Sequence, residues 1–348
     1  MASMGKTDVM SFGNAIEDSD AQEGGRSVLL GNGFSIDWDA KRFHYESLYD
    51  EAKLTNLSVP KEDLFAGLNT HDFEKVIEHL KTAAKLTEVY SDTNGGLVNS
   101  FRDDAKVVQN GLADVLAARH PHVATEVTDS EAEKAREFLA NFGRSFTLNY
   151  DLLLYWVLSR LDSKHTPQRG DGFEWPTAEP GKLVWKRSAA KRGQRVFYLH
   201  GALHYFVEEH RLNKLSYQLS APLLEQIRTR IEAGKYPLVV TEGTSEEKLE
   251  RIEASAYLSY AHRRFEELTG VLFIHGFSFS PNDEHVLMAL EAKACQIASI
   301  YVGLHNPGSD EALAVMRRAN QIKNRRAKSG GIKLAMTFYD AKTAHLWR

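Results

Sequence analysis

The chain has 348 residues, 43% hydrophobic and 26% charged, the balance of a soluble globular protein long enough for one large domain or two. Its 47 acidic and 43 basic residues leave a net charge of −4, which excludes a global attraction to nucleic acid or to a membrane surface. A single cysteine excludes an intrachain disulfide and a multi-cysteine zinc site, and no apolar run reaches the roughly 20 residues of a membrane-spanning helix.

Residues 1–25 are polar and lack the apolar core of a signal peptide, so they read as a flexible N-terminal segment of a cytoplasmic protein. Ser27–Leu30 is a short apolar run that stops at Gly31-Asn32-Gly33, the pattern of a buried strand feeding a tight turn. Residues 60–140 have helical texture: Phe73, Val76, Ile77 and Leu80 share one helix face, 97–116 continues it, and Ser130 with Glu133 reads as a capping box. This stretch reads as a helical insertion. Ser145–Leu148 is the next strand, followed by an all-apolar, buried helix over 152–158. Residues 163–194, rich in Gly, Pro and charge, read as a loop or minor-domain insertion with a hairpin strand at Leu183–Trp185.

Arg195–Leu199 is strand-like and ends at His200-Gly201; Leu238–Thr241 is a further strand. Thr244 and Glu247 cap a long helix reaching Leu268. Strands follow at Gly270–Ile274, Ser299–Leu304 and Ile332–Tyr339. Strands alternating with helices predict an α/β fold, a mainly parallel sheet with helices on both faces. The basic stretches Lys186–Arg195 and Arg317–Lys328 read as a solvated loop and an exposed helix face, and Cys295 as a buried core thiol.

Four segments at strand ends carry the candidate chemistry. Gly31-Asn32-Gly33-Phe34-Ser35 reads either as a turn whose backbone donors meet an anion or as a plain βα turn. It is neither the dinucleotide GxGxxG, since Ile36 stands where the third glycine belongs, nor a P-loop, since no Gly-Lys-Ser/Thr follows. Asn149, in Thr147-Leu148-Asn149-Tyr150-Asp151, reads either as a holder of a ribose hydroxyl and a water or as a helix cap. Asp151 is expected at a helix N-terminus. His200 directly follows a strand and precedes a glycine, and an imidazole is suited to general-base work near neutral pH. His204 is expected on a following loop or helix. His200 and His204 have zinc-helix spacing without the H-E-x-x-H glutamate, and His262, His275 and His285 are scattered, so no metal is expected.

In order and position these segments resemble the sirtuin superfamily. Gly31–Ser35 is similar to its Gly-Ala-Gly-x-Ser loop, Thr147–Asp151 to its Thr-Gln-Asn-x-Asp segment, and His200-Gly201 to its catalytic His-Gly. Gly276-Phe277-Ser278 resembles the later Gly-x-Ser, and the strand ending at His305-Asn306 the one whose Asn contacts the adenosine side. The Gly-Ile-Pro-Asp-Phe-Arg stretch and the four-cysteine zinc ribbon of the deacylases are absent. The resemblance is therefore nearer to bacterial sirtuin-like NAD hydrolases of antiphage defence. It implies a Rossmann-like domain with NAD as substrate, bound by Gly31, Asn32, Gly33, Phe34, Ser35, Asp151, Gly276, Ser278 and Asn306. Asn149 and His200 would be catalytic. It further implies a homo-oligomer, restrained by a protein partner or a phage trigger. Protein deacylation, ADP-ribosyl transfer and non-catalytic sensing of NAD or ADP-ribose are the rival readings.

Overall fold

The computed structural model describes residues 9–43, 48–90, 95–118, 120–160, 164–175, 183–216, 222–240 and 244–348. The strands are β1 (Met10–Ser11), β2 (Arg26–Leu30), β3 (Arg144–Thr147), β4 (Phe173–Glu174), β5 (Leu183–Trp185) and β6 (Val196–Tyr198). They continue with β7 (Gly201–Glu208), β8 (Arg211–Lys214), β9 (Pro237–Val239), β10 (Thr269–His275), β11 (Gln296–Leu304) and β12 (Ala335–Asp340). Runs such as Val28-Leu29-Leu30 and Val271–Ile274 are apolar on both faces, as strands sandwiched between helix layers must be, and they are fully buried here.

The main sheet has seven strands in the order β1-β12-β11-β10-β2-β3-β6, and every described pairing in it is parallel. From β2 the chain builds outward through β3 to β6, then crosses to the other side of β2 and builds through β10, β11 and β12. The strand order therefore reverses between β2 and β10, and a doubly wound sheet opens its ligand crevice at such a point. This is the Rossmann-like architecture expected from the alternation. A second, antiparallel sheet, β4-β5-β8-β7-β9, forms the minor unit.

Several expectations are corrected. Residues 10–20 are ordered: β1 pairs with β12, and helix Phe12–Asp20 buries Phe12 against Phe138, Phe273 and Tyr339. The capping box sits at Thr128 and Glu131, two residues before the expected pair, and the helix runs Asp129–Leu139. The Thr244–Glu247 box is present, but the long helix breaks at Ser255 into Ser245–Ala254 and Ala256–Glu266. Ser255 is extended and caps the second helix with its hydroxyl, so a local side-chain bond wins over helical continuity. The strand expected at 238–241 joins the second sheet, antiparallel to β7; its Thr241 lies outside the described residues. His204 lies on β7, not on a loop or helix. Within the basic helix Asp310–Lys328, Arg326 is fully buried and donates to the Leu290 and Ile297 carbonyls and to Cys295 Sγ. Cys295 is buried as expected. No helix among the described residues is long and apolar enough to cross a membrane.

At the reversal point the turns after β2 and β10 touch through backbone alone. Gly31 N–H donates to the His275 carbonyl at 2.9 Å and Gly33 N–H to the Gly276 carbonyl at 2.8 Å. A Cβ on Gly276, whose φ is +69°, would lie 2.7 Å from Gly33 Cα and from Phe34 N. Neither neighbour is a flexible side chain, so Gly276→Ala should cost about 1–3 kcal/mol through overpacking and a disfavoured φ. Urea unfolding checks this: an unchanged midpoint would mean that the two turns can separate freely.

Candidate functional site

The chain leaves β3 at Thr147, whose hydroxyl accepts the Asn149 N–H at 3.0 Å and turns the Asn149 side chain towards the Gly31–Ser35 turn. Asn149 Nδ2 donates to Ser35 Oγ at 3.0 Å, Ser35 Oγ donates to Asp151 Oδ2, and Asp151 Oδ1 accepts the Leu153 N–H at 2.9 Å. The direction of donation is fixed at both ends. A carboxylate only accepts, so the single serine proton goes to Asp151 and the Asn149 amide must supply its NH2 to Ser35. Asn149 Oδ1 is then left without a partner among the described residues. Ser35, Asn149 and Asp151 are all buried, and burial pushes the Asp151 carboxyl up to about 6 despite the opposing bonds from Ser35 and Leu153.

A second chain starts at the end of β6. His200 Nε2 lies 2.9 Å from His285 Nε2, and His285 Nδ1 lies 3.2 Å from Ser245 Oγ, which accepts the His285 N–H at 2.8 Å. The His200 ring is also bonded to the backbone of Leu148. One assignment satisfies every group. Ser245 donates to His285 Nδ1, His285 donates through Nε2–H to His200 Nε2, and His200 keeps its own proton on Nδ1 towards the Leu148 carbonyl. Burial, then Lys248, His285 and His262, hold the His200 ring well below the usual histidine range, so it is neutral at pH 7.

The spacing of the histidines gave no hint of this cluster, because its members are brought together from three separate stretches of chain. His262 lies tilted against His285, 5.7 Å from centroid to centroid, with its Nε2 buried and unpartnered among the described residues. Among the described residues, His200, Asp283 and His285 are the one set that could hold a metal ion, with ligand atoms within 4.8 Å of one another. Lys248 Nζ donates to Asp283 Oδ1 at 2.9 Å, and its positive charge opposes a cation there. His204, which has zinc-helix spacing from His200, is packed among Tyr155, Tyr198 and Tyr205.

The glycine turn has a different job from the one its composition suggests. The amides of Gly31 and Gly33 are spent on the Gly276 loop, while Phe34 N–H donates to Gly31 and those of Ser35 and Ile36 to Asn32, all at backbone carbonyls. Of the expected anion donors, Asn32 N–H remains without a partner among the described residues. The Asn32 side chain donates to the Phe43 carbonyl at 3.2 Å, and Phe34 packs on Trp347, whose Nε1 donates to the Phe34 carbonyl at 2.8 Å. Ser278 is exposed on the Gly276 loop between the buried Phe277 and Phe279, and exposed Asn306 accepts from Lys342 Nζ at 3.2 Å. The fold thus brings Ser35, Asn149 and Asp151 into one hydrogen-bonded group, with His200 on the adjoining strand end and Gly276 across the reversal point. Ser278 and Asn306 lie farther out along the same edge.

Fold and site together define a doubly wound α/β protein with a buried polar group at its strand-order reversal. The chain belongs to the family described as "Domain of unknown function (DUF4917)", whose profile matches residues 28–347. No curated protein matches it. Among solved structures it is similar to a Sir2 homologue in complex with NAD, at 12% identity and TM-score 0.36, over 92% of this chain and 97% of that one. It is also similar to a histidine-to-asparagine variant of a Sir2 homologue with ADP-ribose, at 14% identity and TM-score 0.32, over 92% and 99% of the two chains.

The buried rings make stability depend on pH. Desolvation holds His262 at about 3 and His275 and His285 at about 4, and it lowers His200 and His204 well below 6.5. Between those values and 6.5 the unfolded chain binds more protons than the folded one. Stability present above pH 6.5 is therefore lost on acidification, at about 1.4 kcal/mol per pH unit for each ring. Asp151, raised from 3.8 to about 6, acts in the opposite sense but is one group against five. The melting temperature should fall steadily from about pH 6.5 to 4.5; a flat profile in differential scanning calorimetry would contradict the neutral, buried state of the rings.

Proposed function

We propose that this protein cleaves the nicotinamide–ribose bond of NAD, releasing nicotinamide and ADP-ribose. One observation carries the reading. At neighbouring strand ends by the reversal point, an asparagine is locked with its carbonyl free and a histidine is held neutral beside it. Nicotinamide leaves as a neutral pyridine, so departure needs no acid. What it needs is stabilisation of positive charge growing on the ribose and a base for the attacking water. The Asp151 carboxylate, buried behind Ser35, supplies negative charge in a poorly screened setting. Asn149 Oδ1 orients a ribose hydroxyl or the water. His200 Nε2 takes one water proton as the remaining hydroxide bonds to the ribose carbon. His285 donates into that same lone pair, so a reacting hydroxyl must first displace it.

In the same reading the protein is an antiphage effector that depletes NAD on infection, as a homo-oligomer restrained until a partner or phage component releases it. Cells challenged with phage should lose NAD with the wild-type chain and keep it with His200→Ala.

In a nicotinamide-release assay, Asn149→Ala and His200→Ala should each lower the rate by about 10²–10⁴-fold, the range for a lost positioned acid–base or orienting group. Full activity in both would sink the proposal. Release that needs an acylated peptide would point to deacylation, release that needs a protein acceptor to ADP-ribosyl transfer, and tight binding without turnover to a sensor. The rate should also rise with pH through about 6 as Asp151 ionises. Ser35→Ala removes a bond that favours the carboxylate, so the midpoint should move upward; a midpoint that stays in place would remove Asp151 from the mechanism.

A further inference from the structure

The opposite end of the main sheet carries a cavity of its own, about 410 Å³ in volume. Arg144 opens β3 and Arg195 immediately precedes β6; Arg187 and Lys191 come from helix Arg187–Gly193, and Arg263 and Arg264 from helix Ala256–Glu266. With Arg192, also on helix Arg187–Gly193 and paired with Glu174, seven cationic side chains from four segments surround one hollow in a chain whose net charge is −4. The carboxylate in its wall, Glu267, is paired with Arg264. Among the described residues, Arg144, Arg187, Lys191 and Arg195 form no salt bridge. Favourable placement near a helix C-terminus accounts for Lys191. It does not account for Arg187 at the start of that helix, nor for two strand-end arginines on the same hollow. Burial and the nearby Arg264 and Arg195 all disfavour the Arg144 charge. A bound anion would offset that cost at the partly buried Arg144 and meet the exposed cations around it.

We infer that this cavity binds a compact polyphosphate, the chemistry shared by inorganic tripolyphosphate and nucleoside triphosphates. Arginine forks suit phosphate oxygens, and the volume falls within the roughly 300–1,000 Å³ of small-molecule sites, too small to take a nucleic-acid duplex. Tyr260, buried in the wall, gives a nucleoside one aromatic neighbour. The site is distinct from the crevice. Arg144 lies five residues before Asn149 and Arg195 five before His200, roughly 16 Å at about 3.3 Å per residue of strand. Binding here does not depend on the NAD reading; any effect on turnover, through the two strands that end at Asn149 and His200, does.

Calorimetric titration of the full chain with tripolyphosphate, and separately with ATP, tests the site. Both should bind at low ionic strength and weaken with added salt. Tighter binding of ATP would identify a nucleotide as the source, and equal binding the phosphate chain. The exposed pair Arg187→Gln/Lys191→Gln should weaken binding by about tenfold or more. The pair Arg317→Gln/Lys323→Gln, which removes the same charge from an exposed helix face elsewhere, should leave it within about twofold. Arg144→Gln/Arg195→Gln should act like the first pair, with melting curves confirming the fold. NAD should not displace tripolyphosphate. Absence of binding at millimolar tripolyphosphate, equal weakening by both surface pairs, displacement by NAD, or tighter binding of duplex DNA than of either probe would each overturn the assignment.

Discussion

The turn after β2 and the loop after β10 meet backbone to backbone, with no side chain between them, and the geometry of the whole carboxyl edge follows from that contact. Gly31 and Gly33 give their amides to the carbonyls of His275 and Gly276, closing the gap where the strand order reverses. Phe34 is pinned from behind by Trp347, near the end of the chain. With the turn held on both sides, Ser35 has a fixed place, and it is Ser35 that links Asn149 to Asp151. A glycine turn that reads as a ligand cradle is here mainly the frame that sets a serine.

Two polar chains then occupy a largely apolar sheet edge, and each has a single sense of donation. That matters because a buried donor or acceptor left unpaired costs about 1–3 kcal/mol, whereas a satisfied chain fixes orientation. The Asn149–Ser35–Asp151 chain presents a carbonyl and stores a negative charge. The Ser245–His285–His200 chain presents a neutral ring whose lone pair is already occupied. Desolvation drives both in the same direction, towards neutral forms: it lowers the histidines and raises the aspartate. At pH 7 the result is an unprotonated histidine on the strand end next to a carboxylate that titrates at about 6.

Much of the strand framework was legible because buried parallel strands are short apolar runs that stop at or near Gly or Asn, and β2, β3, β6, β10 and β11 all have that form. Helix ends were less so. Thr128 and Glu131 beat Ser130 and Glu133 to the same capping role, and Ser255 interrupted a periodic stretch through one hydroxyl. The order of residues 10–20 was invisible because Phe12 gains its burial from aromatic residues more than a hundred positions away. The basic run before β6 read as a solvated loop because its partners in charge, Arg144, Arg263 and Arg264, stand elsewhere in the chain.

The sequence by itself determined the strand ends, and with them the positions of Asn149 and His200, since local patterning places a residue along a strand. It could not determine which strand lies beside which, because that depends on which buried faces find each other when the chain collapses. Tertiary structure alone decided that the strand order reverses between Gly31 and Gly276, and that the glycine amides are spent there. It also decided that His200 faces His285 across a sequence separation of 85 positions. Hydrogen-bond partners and local dielectric, which set what each of these groups can do, are properties of that packing and of no single segment.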